Sequence, residues 1–96
     1  MFTFDQRMAE AVQLHETGRL EEAEVLYRGI LQEAPSYPHA LHLLGVLAYQ
    51  SGRHAEALDL IGRALAVHGP HPVFLSNLAV VHLEVGRLDD AIAACR

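Results

Sequence analysis

Gly18, Gly52 and Gly86 stand 34 residues apart, and their surroundings repeat with them. Gly18-Arg19-Leu20-Glu21-Glu22-Ala23 returns as Gly52-Arg53-His54-Ala55-Glu56-Ala57 and again as Gly86-Arg87-Leu88-Asp89-Asp90-Ala91. Val12, Val46 and Val80 keep the same interval, as do Pro38 and Pro72. An internal period of this length constrains the fold more than any other feature. A unit so short cannot bury its own apolar face and must stack against its neighbours.

Inside each unit the apolar residues recur at helical spacing. Leu41, Leu44, Val46, Leu47 and Ala48 precede Gly52, and Ala57, Leu58, Leu60, Ile61, Ala64, Leu65 and Val67 follow it. A glycine between two such patterns ends the first helix, because it accepts φ > 0 without strain. Acidic residues two to four positions later fall in the first turn of the next helix, where they complement its dipole. Ala34-Pro35-Ser36-Tyr37-Pro38 and His68-Gly69-Pro70-His71-Pro72 separate one helix pair from the next, and Pro38 and Pro72 suit a first helical position. The reading is an all-α chain, an α-solenoid of antiparallel helix pairs in a single domain over 1–96. Its repeats cover about 4–37, 38–71 and 72–96, the last truncated. Six helices are expected, at about 4–17, 20–33, 38–51, 54–67, 72–85 and 88–96. Ala23, Ala57 and Ala91 are small so that the two helices of a pair can approach closely.

Composition narrows the function. Apolar residues make up 51% of the chain and charged residues 20%, ordinary globular values. The formal net charge is −5, there is no Lys, and the seven Arg are scattered, so neither a nucleic-acid footprint nor attraction to an acidic membrane is expected. No apolar run approaches the length of a spanning helix. Cys95 is the only cysteine and Met1-Phe2-Thr3-Phe4-Asp5 has no signal-peptide character, which together point to the cytoplasm.

These residues resemble the tetratricopeptide repeat family. Leu44-Gly45, Gly52, Ala57, Ala64 and Leu65 follow its pattern in the second repeat. Gly18, Ala23, Tyr27, Leu31 and Pro35 follow it in the first, and Leu78-Ala79, Gly86 and Ala91 in the third. The first repeat departs from it, with Glu10-Ala11 where Leu-Gly is usual and Arg7 where a large apolar residue is usual, as a capping repeat would. The run Ser76-Asn77-Leu78-Ala79 with Gly86-Arg87-Leu88-Asp89-Asp90-Ala91-Ile92 is similar to the repeats of O-linked N-acetylglucosamine transferases and related bacterial enzymes.

The resemblance implies that the first helix of each pair lines a concave groove that holds a peptide or protein segment. The groove residues would be Met8, Val12 and His15 in the first repeat, His39, His42, Val46, Tyr49 and Gln50 in the second, and Val73, Asn77 and Val80 in the third. Asp5, Glu16, Ser76, Leu83 and Glu84 share the groove side. Val12, Val46 and Val80 make an apolar stripe, although Val there also suits packing between helices. The family's charged clamp for chaperone C-termini is missing: its positions hold Met8, Val12, Leu43, Val73 and Asn77. Asn77 matches the asparagine that, in the transferase repeats, reads an extended backbone with its amide, which both donates and accepts.

Seven histidines are many for this length. His39 and His42 stand at i, i+3 and His68 and His71 flank a turn, a spacing that two ligands of a Zn or Ni site can use. A site needs three or four convergent ligands, and no Cys pair or acidic cluster accompanies them, so solvated or capping roles are expected, with no metal and no cofactor. No nucleophile-base set and no phosphate-cradling glycine loop is legible, so no enzymatic activity is expected. The expected function is a non-catalytic interaction scaffold. Two alternatives stay open: a substrate-presenting N-terminal segment of a larger enzyme such as a glycosyltransferase, and self-assembly through the unfinished last repeat, where Ile92 and Cys95 lack a covering neighbour.

Overall fold

The computed structural model describes residues 3–94, apart from the side chains of Asp90, Ala91 and Ala94. These residues form five helices: α1 (Phe4–Glu16), α2 (Leu20–Glu33), α3 (Pro38–Gln50), α4 (His54–His68) and α5 (Pro72–Ala94). α1 packs on α2 and α3 on α4, α2 packs on α3, and α4 on α5, so consecutive helices lie side by side. The molecule is elongated, 55 × 29 × 20 Å.

Local chemistry fixes the helix ends. Thr3 opens α1 through a capping box: its hydroxyl accepts from the Gln6 amide at 3.1 Å, and the Thr3 amide donates to Gln6 Oε1 at 2.8 Å. The turns at Gly18 and Gly52 are the same motif. Gly18 has φ 84° and donates to His15 O at 3.2 Å, while Arg19 N–H reaches back to Leu14 O at 2.9 Å. Gly52 has φ 82°, and the matching bonds run to Tyr49 O at 3.0 Å and from Arg53 to Ala48 O at 2.8 Å. This paired bonding satisfies the orphan carbonyls of α1 and α3 and reverses the chain. Pro38 and Pro72 begin α3 and α5, as their position in the repeat predicts.

The third glycine behaves differently. The sequence predicts a turn at Gly86 and a sixth helix from residue 88; instead α5 runs on through Gly86 to Ala94 as one 23-residue helix. Two local differences account for this. The positions before the first two glycines hold Thr17 and Ser51, and the Thr17 hydroxyl bonds to Gln13 O and Leu14 O, competing with helix continuation. The equivalent position in the third repeat is Val85, which has no such alternative and packs against the core. In addition, Arg87 pairs with Glu84 at 3.0 Å, one helical turn apart across Gly86. The side chain of Ala91, and Cys95 altogether, lie outside the described residues.

The core runs the length of the stack: Tyr27 and Ile30 of α2, Leu41, Leu44 and Leu47 of α3, Ile61 of α4, and Phe74 and Val81 of α5 are all fully buried. Ala23 and Ala57 are fully buried. The tightest contact is at Gly45, where a Cβ would stand 2.7 Å from Ile61 Cγ1 and 3.3 Å from Ala57 O. α3 and α4 therefore touch almost backbone to backbone. Arg7, the polar departure in α1, is half-buried, pairs with Glu33 and lies over the Phe4 ring at 5.5 Å.

Candidate peptide-binding groove

α1, α3 and α5 are the first helices of the three repeats, and their expected groove residues come together unevenly. Val46, Tyr49 and Gln50 of α3 face Asn77 and Val80 of α5 across a cleft of about 110 Å³, floored by Ile61 and Val81. Val12 is half-buried on α1, while Val73 and His39 are exposed near the start of α5 and α3. Met8 and His42 depart from the expected roles: Met8 is a core residue and His42 is 5% exposed, so neither offers a free groove surface.

The polar groove residues are cross-linked between repeats. His15 of α1 bonds Gln50 of α3 at 2.6 Å, and His42 of α3 bonds Asn77 of α5 at 2.8 Å, both over 35 residues of sequence. The two bonds have opposite polarity. Gln50 Oε1 can only accept, so His15 carries its proton on Nε2, and its Nδ1 accepts from the Tyr27 hydroxyl at 3.0 Å. Asn77 Nδ2 can only donate, so His42 Nε2 is the acceptor and His42 is neutral. Gln50 therefore keeps its NH₂ for the cleft, and Asn77 keeps its carbonyl oxygen. Both residues line the cleft, Gln50 with a donor and Asn77 with an acceptor that the histidines leave uncommitted.

Burial shapes the titration of His42 and Tyr27. Desolvation pushes the His42 imidazole down to about 4, with repulsion from His39 and His71 acting in the same direction. Burial, then the nearby Glu16 carboxylate, raises the Tyr27 phenol to about 12, so it remains a donor to His15.

Two arrangements escaped the sequence reading. His39, His42, His68 and His71 gather around Phe74: His71 and His42 stack on it at 4.0 and 4.3 Å, and His39 and His68 meet its ring edge-on at 5.8 and 5.7 Å. The expectation of solvated histidines therefore fails for His42, and the cluster clamps the α4–α5 junction. Among the described residues no group of three His, Cys, Asp or Glu is placed to hold a metal ion. On the other side, Glu24 and Arg28 of α2 interlock with Arg53 and Glu56 of the next hairpin. Arg53–Glu24 is 2.7 Å, Arg28–Glu56 2.6 Å, Arg28–Glu24 2.8 Å and Arg53–Glu56 3.1 Å. The Arg53 guanidinium, first among these contacts, holds the Glu24 carboxyl below its usual range. The hints in the sequence are the Arg-x-x-Glu spacing that Arg53 and Glu56 share with Arg19 and Glu22, and the i,i+4 spacing of Glu24 and Arg28.

The fold and the cleft define a helical-repeat protein with a slot of side-chain size between α3 and α5. The tetratricopeptide repeat family matches the chain over residues 14–73 and again over 48–96. The chain belongs to that family, whose repeats generally mediate protein–protein interaction. Two relatives share part of it. A tRNA pseudouridine synthase B of Synechococcus sp. (strain WH7803) is 34% identical over 55 residues, 57% of this chain and 18% of that protein. A TPR repeat-containing thioredoxin, TTL4, of Arabidopsis thaliana is 37% identical over 51 residues, 53% of this chain and 8% of that protein. The match thus spans less than a fifth of either relative. No described helix is long and apolar enough to cross a membrane.

Proposed function

We propose that this chain is a non-catalytic scaffold that holds an extended segment of a partner protein along the groove side of α1, α3 and α5. The observation that carries the proposal is the cleft between α3 and α5. It combines apolar walls with one free amide donor and one free amide acceptor, held in place by His15 and His42. An extended peptide presents alternating N–H and C=O groups, and a slot of this kind can meet one of each while covering a side chain. Replacing Tyr49 and Asn77 together with Ala removes a wall and the acceptor, and binding of a partner segment should weaken while helicity persists. Unchanged affinity sinks the assignment of the groove.

A second reading has its own support. Both relatives are much longer than the shared region, and one carries an enzyme's name and the other a thioredoxin's. The repeats would then present a substrate protein to a catalytic part elsewhere in a larger chain, a glycosyltransferase being the type suggested by the Asn77-Leu78 run. The reading frame beyond Arg96 decides: an ending within one or two further repeats removes this alternative. Self-assembly is the third. Leu83 and Ile92 of α5 are 62% and 54% exposed, an apolar surface that a second copy could cover. Sedimentation showing a monomer up to millimolar concentration defeats it.

A further inference from the structure

The chemistry around the cleft goes further than the groove reading on which it rests, because it selects what kind of segment fits. The slot is about 110 Å³, walled by Val46, Tyr49 and Val80. An apolar cavity of about 150 Å³ admits a benzene ring, so this one suits a single branched aliphatic side chain and is small for an aromatic one. The charge nearby is one-sided. No arginine lines the slot, and Arg7, Arg19, Arg28, Arg53, Arg63 and Arg87 each have a carboxylate within ion-pair distance. Glu16 has no basic partner among the described residues and follows His15, the residue that grips Gln50 at the cleft wall. Its field reaches Tyr27 beneath that pair.

We infer that the groove is specific for an extended peptide segment carrying one branched aliphatic residue with a Lys or Arg close beside it. The aliphatic side chain enters the slot between Val46 and Val80. The Gln50 NH₂ donates to a peptide carbonyl, and the Asn77 carbonyl oxygen accepts from a peptide N–H. The basic side chain lies along α1 toward Glu16. An acidic segment is disfavoured, because it meets the Glu16 carboxylate and no arginine lines the slot.

The test is selection from a random dodecapeptide phage library on the immobilised 96-residue chain, followed by binding to two variants. Val80→Asp fills the slot mouth with charge at an exposed position, and Gln50→Ala removes the donor; far-UV circular dichroism checks that both stay helical. The expected result is an enriched peptide with a Leu, Ile or Val within two residues of Arg or Lys. Its affinity should fall about tenfold when the aliphatic residue becomes Ala and about tenfold at low salt when the basic residue becomes Glu. Val80→Asp and Gln50→Ala should each weaken it. Peptides that need Val80 and Gln50 but carry acidic or aromatic residues at these positions overturn the specificity and leave the groove standing. Peptides indifferent to both variants, or no enrichment at all, overturn the groove and the specificity together.

Discussion

Acidification from pH 7 to pH 5 should cost the fold about 2 kcal/mol through His42 alone. His42 is buried at the α3–α5 contact, stacked on Phe74 and accepting from Asn77. Its imidazole sits at about 4 in the fold against an ordinary value of 6.5. The unfolded chain therefore binds the extra proton first as pH falls. The neutral ring's contribution is complete above pH 6.5, declines as pH drops from 6.5 toward 4, and changes no further below that. The full difference is roughly 3–4 kcal/mol, and a little over half of it falls between pH 7 and 5. The groups facing the ring are His39 on its own helix, His71 at the start of α5, and Asn77. The assay is urea unfolding followed by circular dichroism at both pH values for the wild type and His42→Gln, which can keep a bond to Asn77 but not titrate. The wild type should lose about 2 kcal/mol more than the variant over the interval. Equal losses would refute the reasoning, since they would show that His42 titrates as freely in the fold as outside it.

Other perturbations have equally definite outcomes. Gly86→Ala should raise stability by up to about 1 kcal/mol, because Gly86 sits inside α5 with nothing within 4 Å of the added methyl, whereas Gly52→Ala should lower it by a similar amount through its φ of 82°; urea midpoints read both signs. Gly45→Ala should destabilise by roughly 1–3 kcal/mol through its 2.7 Å clash with Ile61 Cγ1, and it should cost less in an Ile61→Ala background, which lacks that carbon; urea midpoints of the two single variants and the double variant read the difference. Arg53→Gln should cost less than about 1 kcal/mol, fading as salt is added, because Arg53 is 38% exposed in its ion pairs; thermal melts in low and high salt check this.

Most of the fold is legible in the sequence because each hairpin repeats the same local chemistry. Gly18 and Gly52 announce their turns, Pro38 and Pro72 their helix starts, and Ala23 and Ala57 the close contacts. Gly86 shows the limit of that logic: a glycine signals a turn only when its neighbours also favour stopping, and Val85 and the Glu84–Arg87 pair favour continuing. The groove was legible as a set of positions but not as a set of partners. Val46, Tyr49, Gln50, Asn77 and Val80 come together at the cleft, while Met8 and His42 turn inward. Spacing tells which face a residue takes, not how deep the next hairpin buries it. The pairing of His15 with Gln50 and of His42 with Asn77 depends on the offset between stacked hairpins, which no local pattern records. The same holds for the ring of histidines on Phe74 and for the Glu24–Arg28–Arg53–Glu56 quartet.

That the α3–α5 cleft grips a peptide backbone is tested most directly by the side-chain amide resonances of Gln50 and Asn77 in a ¹⁵N-labelled chain titrated with a selected peptide. Both NH₂ pairs should shift together, saturate at one peptide concentration and stay unshifted when the same peptide meets Val80→Asp. Saturable binding that moves other resonances and leaves these two in place would contradict the account.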